Sequence, residues 1–233
     1  LEFRRVLFRS LRAGEIKTVI ADFAESAKRA VDAGFDLIEL HAAHGYLLHQ
    51  FMSPLSNQRS DEYGGSFENR IRLTLEVFQA MQDAVPAGYP IGVRLSATDW
   101  MDDAASWDVE STVGLSKALE QLGAAYIHVS SGGLHIEQKI DLHAGYQVPF
   151  AAAVKQELSI PVIAVGLITD ALQAEGILQY EQADAISLAR AILYDPRWPW
   201  HAAAELGETV AVAPQYLRCQ PHGLRDLFKP FKR

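Results

Sequence analysis

Five short apolar runs, at residues 36–40, 91–95, 126–129, 161–165 and 184–188, alternate with longer stretches whose apolar residues recur every three or four positions. A brief apolar run bounded by turn formers reads as a strand buried on both faces, and the longer spacing reads as an amphipathic helix. Helical spacing joins Phe23, Ala27, Ala30 and Val31 ahead of Gly34, then Ile71, Leu75, Phe78 and Met81 after Ser66. It joins Val113, Leu119 and Leu122 between Asp108 and Gly123, then Phe150, Val154 and Leu158. Further helices are expected over 170–180 and 200–205. Ser66 and Asp108 suit N-caps, and Glu68 favours the positive end of its helix. Strand–helix alternation of this kind implies an α/β fold with a parallel sheet. Two closures compete: an open doubly wound sheet, or a (β/α)8 barrel with about three strands missing. No Gly-x-Gly-x-x-Gly follows the first strand, which weakens the dinucleotide-binding form. His41, Ser96, Ser130, Gly166 and Arg190 stand just past the strands' C-terminal ends, where barrels build their active sites.

Bulk properties narrow the function classes. With 233 residues, 49% of them hydrophobic, the chain can bury a sizeable core. Its formal charge of −8 argues against nucleic acid as a partner, and no apolar run approaches the length that spans a bilayer. Cys219, the single cysteine, excludes an internal disulfide and a four-cysteine iron–sulfur cluster, and the expected setting is a reducing cytoplasm. Residues 1–10 fit nothing that follows and lack the features of a signal peptide. They are read as a non-native leader, with residues 11–233 as the folded portion.

The chemistry concentrates after the first strand, at His41-Ala-Ala-His44-Gly45-Tyr46. Two imidazoles can grip one carbonyl oxygen while a phenol supplies a proton nearby. Core or capping histidines are the bland alternative. A zinc site is another, since His-x-x-His can bind metal, with His135 or Asp99 as a third ligand. A second constellation lies at Gly166-Leu167 and Ala189-Arg190, the turns after the last two runs. Barrels commonly bind phosphate there, and a forked guanidinium suits that anion. Arg94 stands inside an apolar strand, where a charge needs a partner. It either pairs a carboxylate such as Glu39 or faces a ring system that gains negative charge on reduction. The polar stretch 57–66 reads as an ordered loop pinned by charge pairs and glycines.

Several of these segments together resemble the old yellow enzyme family of FMN-dependent ene-reductases. They are His41-Ala-Ala-His44-Gly-Tyr46, the run from Ser53-Pro-Leu-Ser-Asn57 through Arg59, Asp61, Tyr63-Gly-Gly-Ser66 to Glu68-Asn-Arg70, then Val93-Arg94-Leu-Ser96. Ser130-Ser-Gly132, Val165-Gly166, Leu-Ala-Arg190 and Pro214-Gln-Tyr216-Leu-Arg218 continue the likeness, which covers nearly all of 15–218. A pair of histidines is similar to the bacterial branch. The resemblance implies FMN as cofactor, NAD(P)H as reductant and an α,β-unsaturated carbonyl compound as substrate. It implies that His41 and His44 bind the carbonyl oxygen, that Tyr46 protonates the α-carbon, and that Arg94 faces the flavin N1/O2 edge. Gly166, Leu167, Ala189 and Arg190 then hold the FMN phosphate, and Arg218 reaches a neighbouring subunit's site in a dimer or tetramer. Ala189 departs from the glycine usual before the phosphate-binding arginine, which is tolerable if its φ is negative. Cys219-Gln-Pro-His departs from the usual glycine-led ending.

The expected fold is therefore an incomplete (β/α)8 TIM barrel carrying about the last five strand–helix units. The expected function is NAD(P)H-dependent reduction of an activated C=C bond. A catalytically inactive gene fragment and a metal-dependent barrel hydrolase are the rival readings.

Overall fold

The computed structural model describes residues 10–231; all but the last residue of the suspected leader lies outside them. A long helix, α1 (Ala13–Asp32), opens the described chain, its start marked by the Glu15 carboxylate accepting the Arg12 backbone N–H at 2.8 Å. It is followed by β1 (Ile38–Ala42), a short α2 (Leu47–Met52), α3 (Phe67–Ala84), β2 (Ile91–Ser96), α4 (Val109–Gln121) and β3 (Ile127–Ser130). Next come α5 (Val148–Lys155), β4 (Val162–Ala164), α6 (Ala171–Gln179), β5 (Ala185–Ile186), α7 (Arg190–Tyr194) and α8 (Trp198–Glu205). The C-terminal segment adds β6 (Val210–Val212), a 3-10 helix (Pro214–Cys219) and β7 (Phe228–Pro230). Ser66, Asp108 and Asp170 cap α3, α4 and α6, accepting from Asn69, Ser111 and Gln173 backbone N–H groups.

The first five strands form one parallel sheet in the order β1-β2-β3-β4-β5, each hydrogen-bonded to its sequence neighbours. That order, with a helical crossover between strands, is an arc of a (β/α)8 barrel and excludes the strand reversal of a doubly wound sheet. β6 and β7 make a separate parallel pair that the apolar pattern did not reveal. The strands lie within about two residues of their expected places; β1 starts two residues late, so His41 belongs to the strand rather than following it.

Side chains alternate across a strand, so the sheet has two characters. Leu40, Ala42, Val93, Leu95, Ile127, Val129, Val162 and Ala164 are all buried on one face, joined by Leu73, Val77, Phe78, Leu115 and Leu119 from α3 and α4. The other face is polar. His41, Arg94, His128 and Ile163 stand side by side in register across four strands, flanked by Glu39, Ser96 and Ser130. Among the described residues no helix is long and apolar enough to cross a membrane.

The loop between α2 and α3 is ordered as its composition demanded. Arg59 forks onto Asp61, Nε to Oδ1 at 2.9 Å and Nη2 to Oδ2 at 2.5 Å. Asn57 Nδ2 donates to the Phe51 and Tyr63 carbonyls, and Arg70 Nε donates to the Met52 carbonyl at 2.8 Å.

Candidate active site

The chain leaves β1 through two successive left-handed residues, His44 with φ 57° and Gly45 with φ 74°. A non-glycine residue in that region is strained and persists only where its surroundings fix it. Here they do. Ser96 Oγ accepts the His44 N–H at 2.9 Å and passes its own proton to the Gly132 carbonyl. Gly45 lies flat on the next loop, where a Cβ would sit 2.3 Å from the Gly133 carbonyl oxygen. Tyr46 N–H returns to the Ala43 carbonyl at 3.2 Å.

This turn gathers the three groups expected at the site. The His41 ring lies 5.2 Å from that of His44 and 5.4 Å from that of Tyr46, centroid to centroid. Tyr46 is 64% exposed, so its phenol is open to a ligand. His44 Nε2 is already engaged, 2.7 Å from Ser130 Oγ. Ser130 Oγ also donates to Gln147 Oε1, at 3.4 Å. Both imidazoles are shifted toward their neutral forms. Burial and then Arg94 lower the pKa of His41, and the same causes in the same order bring His44 down to about 4.

Arg94 stands in register with His41 on one side and His128 on the other. Its expected alternative partner, Glu39, pairs instead with His128, Oε2 to Nδ1 at 3.0 Å. Beside Glu39 on β2 stands Gly92, where the Tyr126 ring occupies the space a Cβ would need. Burial pushes the Glu39 carboxyl upward, but the His128 hydrogen bond and charge, with Arg94, bring it below its ordinary value. Arg94 Nε is left buried with no hydrogen-bond partner among the described residues.

That guanidinium opens onto a cleft whose other walls are Ser130, Gln147, Gly166, Leu167, Ala189 and Arg190. Gly166 and Leu167 both have positive φ, 125° and 50°. Gln147 Nε2 donates to the Val165 carbonyl at 2.8 Å just beneath them. Ala189 has φ −113° and ψ −86°, so the position does not call for the positive φ that favours glycine. Arg190 is exposed at the start of α7. The cleft thus joins Arg94 to all four residues expected at a phosphate.

Other candidates lie elsewhere. Arg218 is exposed on the 3-10 helix, in a segment packed through Tyr216 on Trp200, and has no hydrogen bond to the trio. Asp99 is buried with His49, Ser53 and Trp107, while His135 is on the β3–α5 loop. No three His, Cys, Asp or Glu side chains converge as a metal shell among the described residues. Sequence reasoning did not single out Gln147, Ser130 as a partner of His44, or His49. Each is polar within an otherwise buried setting, but its partner is remote in the chain.

Known proteins supply an independent comparison. An NADPH dehydrogenase of Geobacillus sp. (strain WCH70) is 44% identical over 210 residues, covering 90% of this chain and 60% of that protein. One from Bacillus licheniformis is 47% identical over 204 residues, covering 88% of this chain and 59% of that protein. Among solved structures, morphinone reductase in complex with tetrahydroNAD is 30% identical with a TM-score of 0.69, over 87% of this chain and 52% of that one. The chain thus spans about 60% of the length of the curated relatives it matches. Residues 3–208 match the NADH:flavin oxidoreductase / NADH oxidase family, and the chain belongs to that family.

Proposed function

We propose that this chain carries the substrate end and the phosphate end of an FMN-dependent NAD(P)H oxidoreductase that reduces the C=C bond of α,β-unsaturated carbonyl compounds. The observation that carries the reading is one line of groups, from the Tyr46 phenol through His41 and His44 to Arg94 and the Gly166–Arg190 cleft. Its donor set fits FMN. Arg94 lines the cleft, and its guanidinium charge suits the electron-rich pyrimidine edge of a flavin. Arg190, with the left-handed Gly166–Leu167 turn beneath it, suits a phosphate.

When bound, FMN would take hydride from NAD(P)H and supply it from N5 to the substrate's β-carbon. The residues of this chain do the rest. His41 and His44 donate to the carbonyl oxygen and polarise the double bond. Arg94 offsets negative charge on the ring system. Tyr46 gives its phenolic proton to the α-carbon, which has gained the electron pair of the C=C bond. Morphinone reductase, solved in complex with tetrahydroNAD, supports a nicotinamide as reductant. Arg218, exposed near the C-terminus, is the group for a neighbouring subunit's site in a homodimer or homotetramer. A cytoplasmic setting accords with the single cysteine.

The test is spectroscopic. The chain is prepared as it stands and joined to the N-terminal portion of the Geobacillus relative, then mixed with FMN and NADPH under anaerobic conditions. Bound flavin that bleaches with NADPH and recovers on adding cyclohex-2-enone is the expected result. Colourless protein with stoichiometric zinc, in both forms, contradicts the reading.

A further inference from the structure

Beneath the turn that carries the trio lie two side chains that the proposed chemistry does not use. His49 on α2 and Asp99 after β2 are both fully buried, at 0% exposure. Asp99 Oδ2 accepts hydrogen bonds from Ser53 Oγ at 2.6 Å and from the Trp107 backbone N–H at 2.8 Å. Those bonds orient the carboxylate so that Oδ1 faces His49 Nε2 at 2.9 Å. The approach is off the axis of a linear hydrogen bond, and neither atom has another partner. At the opposite edge of the ring, His49 Nδ1 accepts the Gly45 backbone N–H at 2.9 Å.

This geometry selects one tautomer. Nδ1 can accept only when it is bare, so the neutral ring carries its proton on Nε2, against the carboxylate. Flipping the ring would set C–H groups against both partners and leave a buried carboxylate oxygen and a backbone N–H unmatched. Gly45 is the residue between His44 and Tyr46, and it is the second of the two left-handed residues in the turn. Its N–H therefore controls the angle at which the proton donor stands to the carbonyl-binding ring.

We propose that His49, held in its Nε2–H tautomer by Asp99, is a positioning residue that fixes the His44–Gly45–Tyr46 turn and so sets Tyr46 against the substrate's α-carbon. The assignment of what Tyr46 does rests on the reading under Proposed function; the brace itself does not. A misplacement of reacting groups by about 1 Å can cost on the order of 10²-fold in rate, so loss of the brace is visible in kcat.

Two amide substitutions separate the two halves of the ring. His49→Asn keeps an acceptor near the Nδ1 position and loses the contact with Asp99. His49→Gln keeps a donor near the Nε2 position and leaves the Gly45 N–H without an acceptor. In the FMN-loaded chain joined to its relative's N-terminal portion, His49→Gln is expected to lower kcat for cyclohex-2-enone by about 10²-fold. FMN affinity should be unchanged, and His49→Asn should recover most of the loss. Equal losses in both folded variants, or none in either, overturn the proposal.

A second readout needs no flavin. Long-range ¹H–¹⁵N correlation spectra of the ¹⁵N-histidine-labelled 233-residue chain near neutral pH should show His49 with a bare Nδ1 and a protonated Nε2. Asp99→Asn should redistribute those signals. A protonated Nδ1 in the wild-type chain overturns the brace even if both variants fail to fold. The expected tautomer in a wild-type protein that turns over no enone overturns the reading of Tyr46 and leaves the brace standing.

Discussion

At the β1 end of the sheet, the turn from His44 to Tyr46 is held from every side: by Ser96 at one N–H, by His49 at the next, and by Gly133 beneath Gly45. At the β5 end, the strand is two residues long, α7 buries none of its residues, and Arg190 is exposed. The contrast matches the division of labour proposed for them. A proton donor must be placed before substrate arrives, because misplacement costs rate. A phosphate-binding arm can be drawn into place by the ligand's own charge. One end is organised by the chain itself, and the other is suited to being organised by what it binds.

That contrast can be broken by substitution. His41→Ala removes a donor at the rigid end, and enone reduction should fall by about 10²–10³-fold while FMN affinity holds. Steady-state kinetics beside a flavin fluorescence titration measure the two quantities on one sample. Gly45→Ala sets a methyl against the Gly133 backbone in a left-handed residue and should cost on the order of 3 kcal/mol. A thermal melt measures it, since each kcal/mol moves Tm by about 2–4 °C for a domain of this size; a melt unchanged from the wild type would mean that the turn is not held.

Arg190→Ala should weaken FMN binding by about 10–100-fold, the worth of a charge-assisted hydrogen bond. At saturating FMN, enone reduction should match the wild type. A further effect is in acid. Burial and Arg94 depress His44 from its ordinary value of 6.5 to about 4, so the fold favours its neutral form. The associated stability is complete above about pH 6.5 and is lost as pH falls toward 4. Urea midpoints of the wild type should therefore drop more steeply across that window than those of His44→Gln. Parallel curves would mean that His44 is not shielded.

Much of this was legible in order along the chain. Short apolar runs located all five barrel strands because Val, Ile, Leu and Ala on the packed face dominate each run, interrupted by His41, Arg94 and His128 on the other. The trio was legible because its three members fall within six residues of one strand end. Ala189 does not call for a positive φ. What escaped reading depends on pairs remote in sequence: His49 with Asp99, Ser130 with His44, Gln147 with Val165. Glu39 and His128 pair across β1 and β3 and are likewise remote in the chain. β6 and β7 are three residues each, too short for a periodic signal.

The central claim is that Tyr46, on the turn fixed at β1, delivers the proton. The direct test is the rate at which cyclohex-2-enone reoxidises reduced flavin, compared between wild type and Tyr46→Phe at equal FMN occupancy. A loss of about 10²–10⁴-fold is expected, the range for a positioned general acid; reoxidation at the wild-type rate would refute proton delivery by Tyr46.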